Sequence, residues 1–366
     1  MKALCLPAAA ESRIGLNERG EAADLAAPDG RLPDTLYDPA ALAAPERLRA
    51  PFDVAARRAL WGKPAGPAAA CPRPVEPIPL FEPPGFYADR GGWFRQTRPL
   101  GYYQSMLADL SDDYVLAQPA DEARAACVLE WLDAWAAADA LLQGEPKGLQ
   151  GAYERRWFSG GAAMAWLKVR EQPGLDPAKR ERVERWLGRL AARALGTAGE
   201  MNNHAYWEGF AAVANAVVLN RRDLFDLGLA RFRLFLGQVQ PDGTLPLELK
   251  RGENALSYHS FAAEPLVFIA EFAAWNDVDL YGEPGLSALI DFVVRGIENL
   301  DELRRHSDYR QAMCFVCGSG LDWMELALAR MGDRRLAPFV KLRRPFLNPR
   351  VGGDVTLLWG VKTLPD

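Results

Sequence analysis

Two short stretches of this sequence gather side chains that can move protons and bind anions. The first reads NNHAYW and contains Asn202, Asn203 and His204, and the second reads KRGENALSYH and contains Arg251 and Tyr258. Histidine is scarce, with 3 in 366 residues, and two of the three lie in these stretches. An amide, an imidazole, a guanidinium and a phenol are the groups that elimination from a uronic acid requires.

That chemistry is demanding because the C5 proton of a uronate is poorly acidic while the neighbouring carboxylate is charged. Hydrogen bonds from Asn203 and Arg251 would neutralise the carboxylate and stabilise the developing enolate. A base then removes the C5 proton, and an acid protonates O4 as the glycosidic bond breaks. Tyr258 can serve both steps if nearby cations lower its pKa.

Each of these residues, taken alone, also has an ordinary structural explanation. Asn202 and Asn203 could cap a helix, and His204 could be a core histidine whose hydrogen bonds are satisfied. Trp207 could belong to the core or stack on a sugar ring. The functional interpretation therefore depends on the combination of the two stretches.

Two other kinds of site compete for the same residues. His204 and Glu208 lie four apart on one predicted helix face and, with His259, could hold zinc, although no HExxH motif is present. An inverting glycosidase would need two carboxylates, for which Glu208, Glu248 and Glu253 are candidates. Both alternatives stay open at the level of the sequence.

Helices must position these stretches. From Ala120 onward, apolar residues recur at helical spacing in about eight segments, joined mostly by short loops. One segment opens with Asp176 as a predicted N-cap and Pro177 in the first position, and Gly196 closes it. Short connections make consecutive helices antiparallel, which leaves a bundle, a solenoid or an (α/α) toroid. The sequence has no fixed-period repeat, which disfavours the solenoid.

The N-terminal part differs in composition from the rest. Residues 1–70 are rich in Ala, Pro and Gly and predict an irregular segment, followed by a principal domain over residues 71–366. The stretch from Cys71 to Tyr87 is too rich in proline for a helix or central strand and predicts an extended chain on the surface. Near the other end, GGDVTLLWG has a strand-like composition.

Composition and charge exclude several classes of protein. The chain is 49% hydrophobic and 25% charged, with a formal net charge of -5, and it has no block of basic residues. Nucleic-acid binding is therefore not expected, and no apolar run reaches the roughly 18 residues needed to cross a bilayer. The pair Cys314 and Cys317 is expected to be buried thiols or a local disulfide rather than a metal site.

The two stretches together resemble a known family. NNHAYW followed by ELKRGENALSYHSFAAEPLVFIAEFA is similar to the alginate lyases of polysaccharide lyase family 5, which show NNHxYW and then ELKR…ALxYHxYALxPL. NRRDLFDLGLARFRLFLGQVQPDGTLP, YERRWFSGGAAMAWLKVR and RRPFLNPRVGGDVT also look like family segments. The resemblance covers roughly residues 71–356 and is most specific over residues 202–272.

The resemblance implies an incomplete (α/α) toroid with a tunnel-like cleft, and β-elimination on polymannuronate without a metal or cofactor. It implies that Asn203 neutralises charge, that His204 is the base or a neutralising group, and that Arg251 contacts the carboxylate. Tyr258 would be the acid, with the base role also open to it. The further substrate-binding residues that we expect are Asn202, Trp207, Tyr87, His259, Lys250 and Arg344.

The resemblance also bears on location and substrate. It implies a disulfide between Cys71 and Cys127, which suits a periplasmic or secreted protein, and we expect a monomer. MKALCLPAAAES looks like a shortened signal peptide, so a cytoplasmic location stays open. The family's SKYEGSD segment corresponds here to GFYADRGG, with Phe86 in place of a lysine beside Tyr87. A glucuronate polymer therefore stays open as substrate, as does a non-catalytic polysaccharide-binding protein.

Overall fold

The computed structural model describes residues 36–143, 149–196, 201–306, 308–313, 316 and 320–364. Its α-helices in chain order are α1 Pro39–Ala43, α2 Val54–Trp61, α3 Arg90–Leu116, α4 Glu122–Ala137, α5 Leu149–Val169, α6 Pro177–Ala194, α7 Asn203–Leu219, α8 Arg222–Leu236, α9 Pro246–Leu249, α10 Ala255–Trp275, α11 Pro284–Glu298, α12 Trp323–Met331, α13 Ala337–Arg343 and α14 Val355–Trp359. Its strands are β1 Lys63–Pro64, parallel to β2 Ala117–Gln118, and β3 Leu347–Asn348, antiparallel to β4 Gly353–Asp354.

The long helices form two layers. Helices α3, α5, α7 and α10 pack side by side in that order, and α4, α6, α8 and α11 pack against them from outside. Helices α5, α7 and α10 are buried almost all round, whereas α6, α8 and α11 bury one face each, as expected for inner and outer helices. The prediction of an all-α fold is confirmed, and this alternation is the arrangement of an (α/α) toroid.

Helix boundaries agree with the sequence where capping signals are strong. Asp176 caps α6, its carboxylate accepting from Ala178 N at 2.8 Å and Lys179 N at 3.1 Å, and Gly196 follows the helix with a φ of +75°. The longest helix, α3, was not predicted, because Pro99 and three glycines lower its intrinsic helix propensity. Its contacts with α4 and α5 outweigh that local preference.

The segment before residue 71 takes part in the core. Leu36, Leu48 and Phe52 are buried, and Asn220, at the end of α7, accepts a hydrogen bond from Leu48 N at 2.9 Å. The described part of the predicted irregular segment therefore contains two short helices, α1 and α2, that pack on the main body.

The proline-rich stretch is extended, as predicted, and lies along α4. Trp131 and Trp135 each donate an indole N–H to a main-chain oxygen of this stretch, on Pro72 and Val75, at 2.9 Å. A disulfide joins Cys71 to Cys127 of α4, as the family resemblance implied. Cys314 and Cys317 lie outside the described residues.

A buried lysine ties the C-terminal segment to the inner helices. Lys168 of α5 forms an ion pair with Asp112 of α3 and donates to Gly352 O at 2.5 Å. Asp112 also accepts from Asp354 N at 2.8 Å. The strand prediction for GGDVTLLWG was wrong beyond its start: β4 is two residues long, and Asp354 then caps the helix α14 by accepting from Leu357 N.

Among the described residues, no helix is both long enough and apolar enough to cross a membrane.

The cross-link gives a prediction for stability. Replacing both Cys71 and Cys127 by serine should lower the free energy of unfolding by about 2–4 kcal/mol, because the open chain gains conformational entropy when unfolded. Urea denaturation of the oxidised wild type and the double variant measures this difference. Equal midpoints and slopes would contradict it, and the reduced wild type, which should match the variant, is the control.

Candidate active site

The start of α7 brings two amides and an imidazole together. Asn202 is the N-cap, and its Oδ1 accepts from His204 N at 3.0 Å. Asn203 is the first helical residue and is fully buried. The capping role that the sequence allowed for Asn202 is thus observed, and its expected contact with substrate stays a prediction.

Glu248 of α9 fixes the orientation of Asn203. One carboxylate oxygen of this buried glutamate accepts from Asn203 N at 2.9 Å and from Asn203 Nδ2 at 3.0 Å. A carboxylate can only accept hydrogen bonds, so the amide nitrogen of Asn203 must face Glu248. The amide oxygen, Oδ1, has no hydrogen-bond partner among the described residues. The amide thus keeps one N–H free of Glu248.

Arg251 is held between Glu248 and the ring of Tyr258. Its Nε lies 3.6 Å from the second carboxylate oxygen of Glu248, and its guanidinium lies 4.6 Å from the centre of the Tyr258 ring. Its side chain remains 30% exposed. A cation that is anchored at its base and open at its end suits the binding of an anion.

Tyr258, on the first turns of α10, is paired with Tyr87. The two hydroxyl oxygens are 2.6 Å apart. Burial raises the pKa of Tyr258, and the hydrogen bond with Tyr87 raises it further, while Arg251 lowers it by less. Arg251 does lower the pKa, but burial outweighs it, so Tyr258 is a neutral phenol that can donate a proton.

His204 is a neutral imidazole stacked on Tyr153. The two rings lie 3.7 Å apart at 11°, and the carbonyl of His204 accepts from Arg156 Nη1 at 3.1 Å. Burial, followed by the charges of Arg156 and Arg251, lowers the pKa of His204 to about 3. Its buried Nδ1 has no hydrogen-bond partner among the described residues.

Three predicted substrate contacts need correction. His259 is fully buried, with Nε2 accepting from Leu245 N at 2.9 Å and Nδ1 donating to Ala255 O at 2.7 Å. Trp207 is also fully buried, packed on Phe261. His259 therefore has no ring nitrogen left for a ligand, and Trp207 packs in the core behind the site.

The third correction concerns Arg344. Its guanidinium forms an ion pair with the buried Glu325 and donates to Val361 O at 2.7 Å. These bonds use the groups that would bind a carboxylate. Lys250, by contrast, is exposed beside Arg251, so its proposed contact with substrate stays a prediction.

Three further residues lie at the site. Tyr153 and Trp157, four apart on α5, line the His204 side, and Arg350 lies over the Trp157 ring at 4.3 Å. The i, i+4 spacing of the two aromatics inside YERRWF was a usable signal. Arg350 follows Asn348 and Pro349, a helix-start pattern, but only the anchoring of the C-terminal segment brings it here.

The zinc and glycosidase alternatives do not fit this arrangement. Glu208 is fully buried in an ion pair with Arg231, and His259 has both ring nitrogens engaged, so neither can join His204 around a metal. No group of three or more metal-binding side chains occurs in the described parts of the chain. Glu248, the glutamate best placed to act on a substrate, already accepts hydrogen bonds from Asn203 and pairs with Arg251.

Comparison with known proteins gives the family. Residues 87–303 match the model of a family described as alginate lyase. A polysaccharide lyase of Stenotrophomonas maltophilia is 33% identical over 308 residues, 79% of this chain and 91% of that protein. An alginate lyase of Pseudomonas aeruginosa is 35% identical over 245 residues, 63% of this chain and 66% of that protein. The chain belongs to the alginate lyase family, a family of polysaccharide lyases.

Solved structures agree with this assignment. A variant of alginate lyase A1-III from Sphingomonas species A1, complexed with a tetrasaccharide, superposes with a TM-score of 0.77 at 28% identity. The match covers 89% of this chain and 99% of that one. The shared architecture is the (α/α) toroid.

The buried imidazole predicts how stability depends on pH. The unfolded chain binds a proton at His204 near pH 6.5, and the folded protein only near pH 3, so stability is full above pH 6.5 and falls as the pH drops towards 3. Relative to His204→Gln, the wild type should lose on the order of 2 kcal/mol between pH 7 and 4.5. Urea denaturation at both pH values tests this, and a difference that does not change with pH would contradict it.

Proposed function

We propose that the protein cleaves a 1,4-linked polyuronate, of the polymannuronate (alginate) type, by β-elimination. The observation that carries the proposal is the cluster of Asn203, His204, Arg251 and Tyr258 around one buried glutamate. Membership of the alginate lyase family supports the same reaction. The two titrating groups of the cluster, an imidazole and a phenol, are both neutral in the free protein.

In this proposal, the substrate carboxylate meets Asn203 and Arg251. The free amide N–H and the guanidinium would hydrogen-bond its oxygens, so that negative charge can spread from C5 into the carboxylate as the proton leaves. Asn203 is fully buried. Substrate contact with the amide therefore requires displacement of side chains that cover it.

Two proton transfers complete the reaction. As the C5 proton leaves, its bonding electrons form the C4–C5 double bond and the C4–O4 bond breaks. O4 takes a proton from the Tyr258 phenol, which is protonated in the free protein. The C5 proton goes to a base on the same side, and the neutral His204 is one group available. Tyr258 is the other: once its phenol proton has passed to solvent after substrate binding, the phenolate takes the C5 proton and passes it on to O4.

Stereochemistry limits the substrates. Mannuronate and glucuronate share their configuration at C4 and C5 and differ at C2, and in both the C5 proton and O4 leave from the same side. Guluronate is inverted at C5 and would need base and acid on opposite faces. We therefore propose mannuronate polymers first, since relatives at 33–35% identity are named alginate lyases.

A glucuronate polymer is the second candidate. Phe86 stands where the family resemblance leads one to expect lysine, and it packs edge-on against Tyr87 at 5.1 Å and Trp93 at 4.9 Å. The cation expected beside Tyr87, the hydrogen-bond partner of Tyr258, is thus replaced by an aromatic group. This change favours a substrate with a different arrangement near the catalytic tyrosine.

We further propose that the protein works in the periplasm or outside the cell. The disulfide between Cys71 and Cys127 supports this, because such bonds persist in oxidising compartments. Fractionation of cells that express the full gene product would place it, and recovery in the cytoplasm alone would contradict the proposal.

The test of function is a panel of polymers. The protein is incubated with polymannuronate, polyguluronate and polyglucuronate, and the ultraviolet absorbance of the unsaturated ends is followed. We expect a rise with polymannuronate or polyglucuronate. Folded protein that binds these polymers without any rise would indicate a non-catalytic binding protein.

Loss of the Tyr258 hydroxyl should slow the reaction strongly. Tyr258→Phe should lower kcat by about 10²–10⁴-fold, the range for removal of a general acid, with an unchanged melting temperature. Tyr102→Phe, which alters an exposed tyrosine of α3, is the matched control and should keep full activity. Activity of Tyr258→Phe within twofold of wild type would exclude the acid role.

Glu248 should affect the reaction rate by positioning Asn203 and Arg251. Glu248→Gln replaces one acceptor oxygen by a donor and disturbs Asn203 or Arg251, and we expect kcat to fall by about 10²-fold, as for small misplacements of catalytic groups. Glu253→Gln, at an exposed position nearby, is the control. In an Asn203→Ala background the Glu248 effect should shrink, and an undiminished effect would show that Glu248 does not act through Asn203.

A further inference from the structure

Arg350 lies between two rings that border the catalytic groups. Its guanidinium is 4.3 Å from the Trp157 ring centre and 5.9 Å from that of Phe261. Trp157 neighbours His204 at 6.1 Å, and Phe261 neighbours Tyr258 at 6.3 Å. No acceptor for the guanidinium lies within the described residues, so this cation is held by aromatic faces and by charges further away.

Those charges belong to two carboxyl groups buried behind the site. Glu264 of α10 and Asp322, which precedes α12, are 3% and 0% exposed. Burial raises the pKa of both, that of Asp322 to about 7, whereas Arg350 lowers both. Two such groups would repel each other if both were charged, and Arg350 is the nearby cation that offsets their negative charge.

One amide connects the pair to Arg350. Asn348 Nδ2 donates to Glu264 Oε1 at 2.5 Å and to Asp322 Oδ2 at 2.6 Å. The same side chain uses its Oδ1 to accept from Arg350 N at 3.1 Å. The two carboxyl groups therefore fix the amide orientation of Asn348, and Asn348 in turn fixes the main chain from which Arg350 projects.

We propose that Glu264, Asp322 and Asn348 are positioning residues that hold Arg350 against Trp157 and Phe261 to bind a carboxylate of the substrate. The proposal rests on the proposed polyuronate substrate. It needs no contact between the acidic pair and the sugar. It explains why two carboxyl groups are kept in the interior, where apolar residues would be less costly.

Binding, measured apart from turnover, tests the proposal. Calorimetry gives the Kd of a mannuronate oligomer, or of a glucuronate oligomer if the panel assay selects it, for proteins that all carry Tyr258→Phe so that the ligand is not consumed. Arg350→Ala should raise Kd about tenfold, and Asn348→Ala about three- to tenfold. Adding Asn348→Ala to Arg350→Ala should change Kd no further, because Asn348 acts through Arg350.

Conservative changes separate positioning from folding. Glu264→Gln can still accept the Asn348 hydrogen bond, so its Kd should stay within twofold, whereas Glu264→Leu should raise it as Asn348→Ala does. If Asn348→Ala does not fold, Glu264→Leu takes its place, and its effect on Kd is measured with and without Arg350→Ala. Equal effects of Asn348→Ala or Glu264→Leu with and without Arg350 would overturn the proposal.

The outcomes distinguish a failure of the proposed reaction from a failure of the proposed role of Arg350. A wild type that binds the oligomer but forms no unsaturated ends would refute the proposed reaction. The comparison of Kd values would then still test the role of Arg350 in binding. A wild type that forms unsaturated ends, with Kd unchanged in Arg350→Ala, would refute the role of Arg350 and leave the reaction intact.

Discussion

The carboxylate of Glu248 is the contact on which the rest of the site depends. It receives two hydrogen bonds from the first residue of α7, and its other oxygen lies beside Arg251. A buried carboxylate is costly unless it is bonded in this way, and the free N–H groups of a helix start are suitable partners. One carboxylate thus joins α7 to α9 and to Arg251 in the segment before α10, and it sets the spacing of the proposed neutralising groups.

The electrostatic character of the site follows from burial around that contact. His204 and Tyr258 both have their pKa shifted towards the neutral form, the first lowered and the second raised. Charge in the site is left to arginines that are anchored at their bases, Arg251 by Glu248 and Arg350 by a main-chain hydrogen bond to Asn348. Fixed cations can bind an anionic substrate and stabilise negative charge that spreads into its carboxylate, while neutral groups are free to transfer protons.

The sequence predicted the parts of this site that depend on local pattern. Helix starts marked by Asn202 and by Asp176 were correct because capping is a local interaction. Burial was not predictable for individual residues: His259 and Trp207 look like ligand contacts because they lie beside the proposed catalytic groups in the sequence, yet both are fully buried. The expected substrate contact of Arg344 has a similar history, since the long-range ion pair with Glu325 that engages its guanidinium cannot be read from local pattern.

The central claim is that chain cleavage occurs by elimination. It is tested most directly by counting products, with new reducing ends and C4–C5 double bonds measured in the same digest of polymannuronate or polyglucuronate. Elimination predicts one double bond for every new reducing end. New reducing ends without double bonds would mean hydrolysis and would contradict the account.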